Sequence, residues 1–172
     1  MKKLIVPVCI LLLSTTALAQ TRSRTTKRGA QSSKASSQQA SLEAKTAGAT
    51  KVADQIKNLT RFLYLLGGVA KGIEDLDASA RSNQGSPTAL QQNEQNKAKL
   101  RSTFQDFRVG LDQLEIFFRS TPELEQYYLK LAGSAAGAAT AEDQAAAGHF
   151  DQAGRTMLGV VNRLTDVLLA MR

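Results

Sequence analysis

Apolar residues recur along most of this chain at alternating steps of four and three, and this spacing constrains the fold more than any other feature. Such steps place apolar side chains on one side of an α-helix, in a stripe that must be buried against another helix. No segment alternates apolar and polar residues for long enough to predict a strand. The four stripes are Val52, Ile56, Leu59, Leu63, Leu66, Ala70, Ile73; Leu100, Phe104, Phe107, Leu111, Leu114, Phe118; Leu124, Tyr128, Leu131, Ala135, Ala138; and Phe150, Ala153, Met157, Val160, Leu164, Val167, Met171.

The stripes and their end signals predict helices over about residues 42–82, 87–119, 122–147 and 150–171. Ser86-Pro87 and Thr121-Pro122 each supply a polar cap followed by proline at the first helical position. Short connections make neighbouring helices antiparallel. The sequence therefore predicts an all-α, antiparallel up-down-up-down four-helix bundle over residues 41–172. The first two helices look longer than the last two, so one end of the bundle should be uneven and available to a partner.

The first residues resemble a secretory signal peptide. Lys2 and Lys3 form a positive start, residues 4–13 are apolar, and Ala17-Leu18-Ala19 is a small-residue cleavage site. The apolar run falls short of the roughly 20 residues that span a bilayer. We therefore expect cleavage after residue 19, export to the periplasm or the cell exterior, and a mature chain without a transmembrane span. Cleavage would also remove Cys9, the one cysteine of the sequence.

Residues 20–40 are rich in Ser, Thr, Gln and basic residues and contain almost no large apolar side chain, so we expect a disordered arm. The net charge of +7 belongs to this arm and the signal, because the sequence after residue 34 holds 15 basic and 15 acidic residues. We expect the arm either to tether the folded domain or to bind an anionic envelope surface. Nucleic acid is disfavoured because the arm lacks aromatic residues for base stacking. Its basic residues are Arg22, Arg24, Lys27, Arg28 and Lys34.

The sequence contains none of the residue motifs that would indicate an enzyme active site or a metal site. His149 is the one histidine, and it lies at a predicted helix junction. Covalent haem attachment needs a Cys-x-x-Cys-His motif, and a di-iron bundle needs paired Glu-x-x-His motifs. A nucleophilic triad is equally hard to assemble without a cysteine or a second histidine. We therefore predict no enzyme activity, no cofactor and no metal site.

Two groups of residues are candidate interaction sites. Gly133 and Gly137 lie in an Ala-rich segment whose small residues allow a helix of the same bundle, or of a second molecule, to approach closely. Phe117 and Tyr127 flank the corner at Thr121-Pro122, where they either pack on each other or form an exposed aromatic patch.

Glycines also interrupt the first helix. Gly67, Gly68 and Gly72 lie inside its helical pattern, and they suggest either a hinge or close packing against a bulky neighbour such as Phe104 or Phe107. We expect the close packing. A third use of the three glycines would be to leave space for an apolar ligand inside the bundle.

One short segment resembles a known repeat. Residues 147–153 are similar to the turn and second-helix start of a tetratricopeptide repeat, but Thr140, Ala141 and Gln144 do not match its signature. There is no second copy at the repeat spacing. The resemblance thus implies a helical hairpin here and no family membership.

These observations favour an exported, non-enzymatic helical bundle that acts by protein–protein contact or self-assembly in the cell envelope or outside the cell. The alternative is a bundle that holds a small molecule or haem.

Overall fold

The structure, a computed structural model, describes the backbone of residues 28–82 and 85–172 and their side chains from residue 36 onward. Within these residues the fold is all-helical, as the sequence predicts, and contains no strand. Packing is described here for the compact unit Ser37–Arg172. The helices are α1 (Arg28–Arg81), α2 (Pro87–Ser120), α3 (Glu125–Leu131), α4 (Ser134–Ala146) and α5 (Phe150–Ala170), with a 3₁₀ turn at Pro122–Leu124.

The first helix begins earlier than its apolar stripe. We predicted a start near residue 42, yet the backbone is helical from Arg28, so residues 28–40 of the predicted disordered arm belong to α1. The physical reason is that extending an existing helix needs no new nucleus and adds one hydrogen bond per residue. Side chains 36–43 are all exposed, so burial does not hold this part of the extension. The predicted signal, residues 1–19, and arm residues 20–27 lie outside the described residues.

The predicted third helix, residues 122–147, is wrong as a single element because the chain breaks at Ala132-Gly133. Gly133 has a φ of +89°, a left-handed conformation that cannot continue an α-helix. The polar groups freed by the break find new partners. The guanidinium of Arg163 on α5 donates to the carbonyl oxygen of Ala132 at 2.6 Å, and Ser134 Oγ donates to that of Leu131 at 2.7 Å. The break is therefore held by hydrogen bonds on both sides.

Side-chain contacts of α1 show that it runs antiparallel to α2 and to α5. Phe62 meets the edge of Phe104 on α2, with ring centroids 5.1 Å apart, and lies at the same distance from Phe107. Lys51, earlier on α1, lies over the ring of Phe117, later on α2. Near the start of α1, a Cβ placed on Gly48 would lie 3.0 Å from Met171 Cε, just beyond the end of α5. Nearer its end, Leu66 contacts Gly154 in the first half of α5.

The remaining contacts connect α4 to α2 on one side and to α5 on the other. Glu115 on α2 accepts a hydrogen bond from the backbone N–H of Ala135 at the start of α4. Arg101, earlier on α2, donates to the carbonyl of Ala145 at the end of α4. This order shows that α2 and α4 are antiparallel. The helices α4 and α5 are antiparallel too, because Gly137 lies beside Val160 while Gln144, later on α4, accepts from Thr156, earlier on α5.

The core fills the space between these helices. The buried residues come from all five α-helices, from the 3₁₀ turn and from Met171 just after α5. They include most members of the predicted stripes, and the remaining members, Ile56, Leu63, Phe107, Tyr128 and Ala135, are partly buried against the core. The largest fully buried apolar side chains are Phe104, Phe118, Phe150, Leu59, Leu111, Leu124, Leu131, Met157, Leu164, Val52 and Val167.

Two glycine substitutions test the break between α3 and α4. Gly133→Ala should lower the free energy of unfolding by about 1–3 kcal/mol, because alanine is strained at this φ and its Cβ would lie 2.5 Å from Arg163 Nη1. Gly159→Ala is the matched control, since no atom of the described residues lies within 4 Å of a Cβ at that position. Because Gly159 lies in the interior of α5, replacing it with alanine should raise the free energy of unfolding by roughly 0.5–1 kcal/mol. Urea unfolding followed by circular dichroism measures both, and equal effects would contradict the assignment.

Candidate functional site

The side of α1 that faces away from the core carries a second stripe with its own regular spacing. Its members are each two residues after a core-facing residue of α1. Two residues turn an α-helix by about 200°, so this stripe lies opposite the core. All five of its members are exposed. We call it the outer stripe; it consists of Arg61, Leu65, Gly68, Gly72 and Asp75.

The glycines of α1 are open to the outside. Among the residues that the structure describes, no atom lies within 4 Å of a Cβ built on Gly67, Gly68 or Gly72. The expectation that they pack closely against Phe104 or Phe107 is wrong, because neither ring comes within 4 Å of these positions. Phe62 is the residue of α1 that contacts those two rings. The glycines therefore add no space to the core either. Each glycine inside a helix costs roughly 0.5–1 kcal/mol relative to alanine, and no described contact compensates for that cost.

Apolar side chains surround these open glycines. Tyr64 is 86% exposed, Leu65 57% and Val69 39%. Tyr64 precedes Gly68 by one helical turn, and so its ring stands beside a backbone without side-chain cover. Single exposed apolar residues are ordinary, whereas three of them beside one stretch of bare backbone form a contiguous patch. We call the uncovered backbone at Gly67, Gly68 and Gly72 the glycine floor.

A groove between α1 and α5 continues this patch through Gly67. Its volume is about 440 Å³. The walls are apolar, and two residues of each charge stand at the rim, where Arg155 and Asp151 form an ion pair. The outer stripe thus adjoins a concave apolar surface. The apolar wall residues are Leu63, Leu66, Ala70, Phe150 and Leu158, and the charged rim residues are Lys71, Glu74, Asp151 and Arg155.

Beyond the core, α1 and α2 are joined by a polar cluster. The ammonium of Lys97 donates to Asp77 at 2.7 Å and to Glu94 at 2.9 Å. Asn93, only 1% exposed, donates through Nδ2 to the same Asp77 oxygen at 2.7 Å, while Asn93 Oδ1 has no hydrogen-bond partner in the part of the chain that the structure describes. The hydrogen bonds to Asp77 and then Glu94 outweigh burial and raise the pKa of Lys97 above its ordinary 10.5.

The predicted aromatic corner is built differently from the prediction. Phe117 is half-buried and its ring lies 5.1 Å below the ammonium of Lys51, a cation–π contact that joins α2 to α1. Its nearest ring partner is Phe118. Tyr127, also half-buried, packs against the core, and it is not among the ring partners of Phe117 in the described part of the chain.

Gly133 and Gly137 are both used within the chain. Gly133 forms the left-handed break described above. A Cβ on Gly137 would lie 2.9 Å from Val160 Cγ2, so α4 and α5 approach closely at this position. The small residues of α4 thus pack on a neighbouring helix of the same molecule.

The basic residues of the arm are beyond what the structure describes. Arg22, Arg24 and Lys27 precede the first described residue, and Arg28 and Lys34 lie in α1 without a described side chain. Their predicted role stays a prediction.

His149 is exposed at the start of α5. From residue 36 on, no three His, Cys, Asp or Glu side chains form a group that could hold a metal ion. None of the described helices is both long enough and apolar enough to cross a bilayer.

No protein-family model matches the chain, and comparisons with curated proteins and with solved structures give no match either. The candidate site therefore rests on its own geometry.

The raised pKa of Lys97 predicts a pH-dependent stability. A group whose pKa is higher in the folded state stabilises it fully below its unfolded pKa, and this contribution is lost as the pH rises through the folded value. Lys97→Met should therefore destabilise the protein at neutral pH, and its difference from the wild type should shrink above about pH 10.5. Urea unfolding between pH 7 and 12 measures this. Lys99→Met, which removes an exposed ammonium from the same helix, is the control. A difference that stays constant with pH would contradict the prediction.

Proposed function

We propose that this protein is an exported, non-enzymatic helical protein that acts by protein–protein contact through the outer stripe of α1. In this proposal it is an up-down-up-down four-helix bundle whose third member is α3 followed by α4. The observation that carries the proposal is the set of three open glycines in one helix. They weaken α1 without serving its own packing, so their use lies in the approach of another backbone.

The chemistry of the surface indicates the kind of contact. Glycine allows two helices to approach until their backbones touch, as small residues do at tightly packed helix pairs. Tyr64, Leu65 and Val69 supply apolar area beside the glycines, and aromatic residues are enriched at the centres of protein interfaces. A helix laid on this floor would bury all three side chains.

Export is supported by the sequence of residues 1–19, and the basic arm that follows is proposed as a tether with affinity for an anionic envelope surface. The non-enzymatic part of the proposal is supported by a mature sequence with one histidine and no cysteine. Histidine is the most frequent general acid or base in active sites, and cysteine is one of the common nucleophiles.

The contact is tested by a photo-reactive phenylalanine analogue at Leu65 in the full chain, expressed in the producing cell. Irradiation should give a protein adduct, while the same analogue at exposed Ile116 on α2 should give little. The triple variant Gly67→Ala, Gly68→Ala, Gly72→Ala should raise the free energy of unfolding by about 1.5–3 kcal/mol. It should also lower the adduct yield, because three methyl groups block the floor. Equal adducts from Leu65 and Ile116, or an unchanged yield in the triple variant, would refute the contact.

Export is tested by intact-mass spectrometry of the protein from cell fractions. The chain outside the cytoplasm should begin at Gln20, and replacing Ala17 and Ala19 with Glu should leave the uncleaved mass because signal peptidase requires small residues there. Full-length wild-type protein confined to the cytoplasm would contradict this part of the proposal.

A further inference from the structure

We propose that the occupant of the outer stripe is a second copy of this chain, whose α1 packs antiparallel to the first with the two-fold axis at Gly68. The inference rests on the proposed function and names its partner. In a two-fold pair the same surface contacts itself, so each residue before the axis meets one at an equal distance after it.

The residues around Gly68 are complementary under this operation. Gly68 meets Gly68 at the axis, where the two backbones approach most closely. Tyr64 lies opposite Gly72 of the second copy, where no side chain occupies the space for its ring. Arg61 lies opposite Asp75. The Gly68 contact lies on the axis and occurs once, whereas symmetry makes the other two contacts twice. Two rings therefore fill two glycine sites, and two ion pairs close the ends.

The charges select this arrangement over a parallel one. A parallel pair in register would place Arg61 beside Arg61 and Asp75 beside Asp75, and like charges side by side repel. The antiparallel pair makes both contacts attractive. Arg61 takes part in none of the ion pairs formed from residue 36 onward, so it is free to bind across the interface.

The present partner of Asp75 does not compete strongly. Asp75 accepts from Lys71 of its own helix at 3.2 Å, and its side chain is 67% exposed. Surface pairs of this kind contribute little because water screens them. In the dimer Lys71 lies opposite Leu65 of the second copy, where its aliphatic stem covers the leucine while its ammonium remains in solvent.

The spacing of the outer stripe fits a helix pair. Its steps of four, three, four and three keep its members on one side of the helix along its length. In the proposed pair Arg61, Gly68 and Asp75 meet members of the stripe, while Leu65 and Gly72 meet Lys71 and Tyr64 beside it. The contact covers only one helix from each copy, which places it at the small end of specific interfaces. The dimer should accordingly depend on concentration, and it should respond strongly to single substitutions near the axis.

Charge reversal tests the arrangement in the full chain by sedimentation over a range of concentrations. Arg61→Asp and Asp75→Arg should each weaken self-association at least tenfold, because each creates two like-charge contacts. An equimolar mixture of the two variants should associate as a heterodimer, since both of its cross-contacts then join opposite charges. The double variant Arg61→Asp, Asp75→Arg should likewise regain self-association. Lys99→Asp makes the same change of charge on α2 and should leave the wild-type association constant unchanged.

The rescue excludes a loss caused by misfolding, because a misfolded variant would not associate when mixed with its complement. Failure of both the mixture and the double variant to associate would overturn the antiparallel pairing. So would a wild-type chain that remains monomeric at every concentration tested.

Photo-crosslinking at Leu65 separates this inference from the function it rests on. An adduct of twice the chain mass, formed by the purified protein, supports the second copy. An adduct with a different protein in the producing cell, together with a monomeric purified chain, overturns the dimer and leaves the contact function standing. The absence of any adduct overturns both.

Discussion

Burial of one side of α1 against α2 and α5 is the constraint on which the rest of the structure depends. Val52 and Leu59 are fully buried on that side, and Phe62 joins it to Phe104 and Phe107. A buried side chain of this size stabilises the fold by roughly 1.5–3 kcal/mol. Turning α1 to bury the outer stripe would exchange several such side chains for two glycines and two charges. The orientation of the outer stripe toward solvent is therefore a consequence of the core.

The sequence predicts the core better than the breaks between helices. The stripes name nearly all buried residues, and Ser86 caps α2 as expected, its hydroxyl accepting from the N–H of Ala89. The break at Gly133 was missed because a glycine within a helical pattern is compatible both with close packing and with a left-handed turn. Ser134 directly after it was an available signal, since serine favours helix starts. The early start of α1 was missed because helix extension needs no apolar stripe to reveal it.

The candidate site was missed for a related reason. Each helix was expected to have one stripe, and the outer stripe has a single large apolar member, Leu65. Periodicity shows which positions share a side of a helix. Glycine has no side chain, so its presence does not indicate whether that side packs on a neighbouring helix or faces solvent. Each residue of the outer stripe lies two positions after a core-facing residue of α1. The stripe from Arg61 to Asp75 could therefore be located from the sequence once the core stripe was known. That Gly67, Gly68 and Gly72 are open could be learned only from the packing of their neighbours.

The position of the open glycines within α1 matters as much as their identity. Glycines weaken a helix most where nothing else holds it, and these lie between Leu66 and Ile73, whose buried side chains anchor the opposite side of the same turns. Farther along, Asp77 joins α1 to Asn93 and Lys97 on α2. Buried side chains thus hold α1 on its core side, and the Asp77 hydrogen bonds hold it further along. Its outer side stays exposed. A partner that binds there meets a backbone already in place, so little of the association free energy is lost in ordering it.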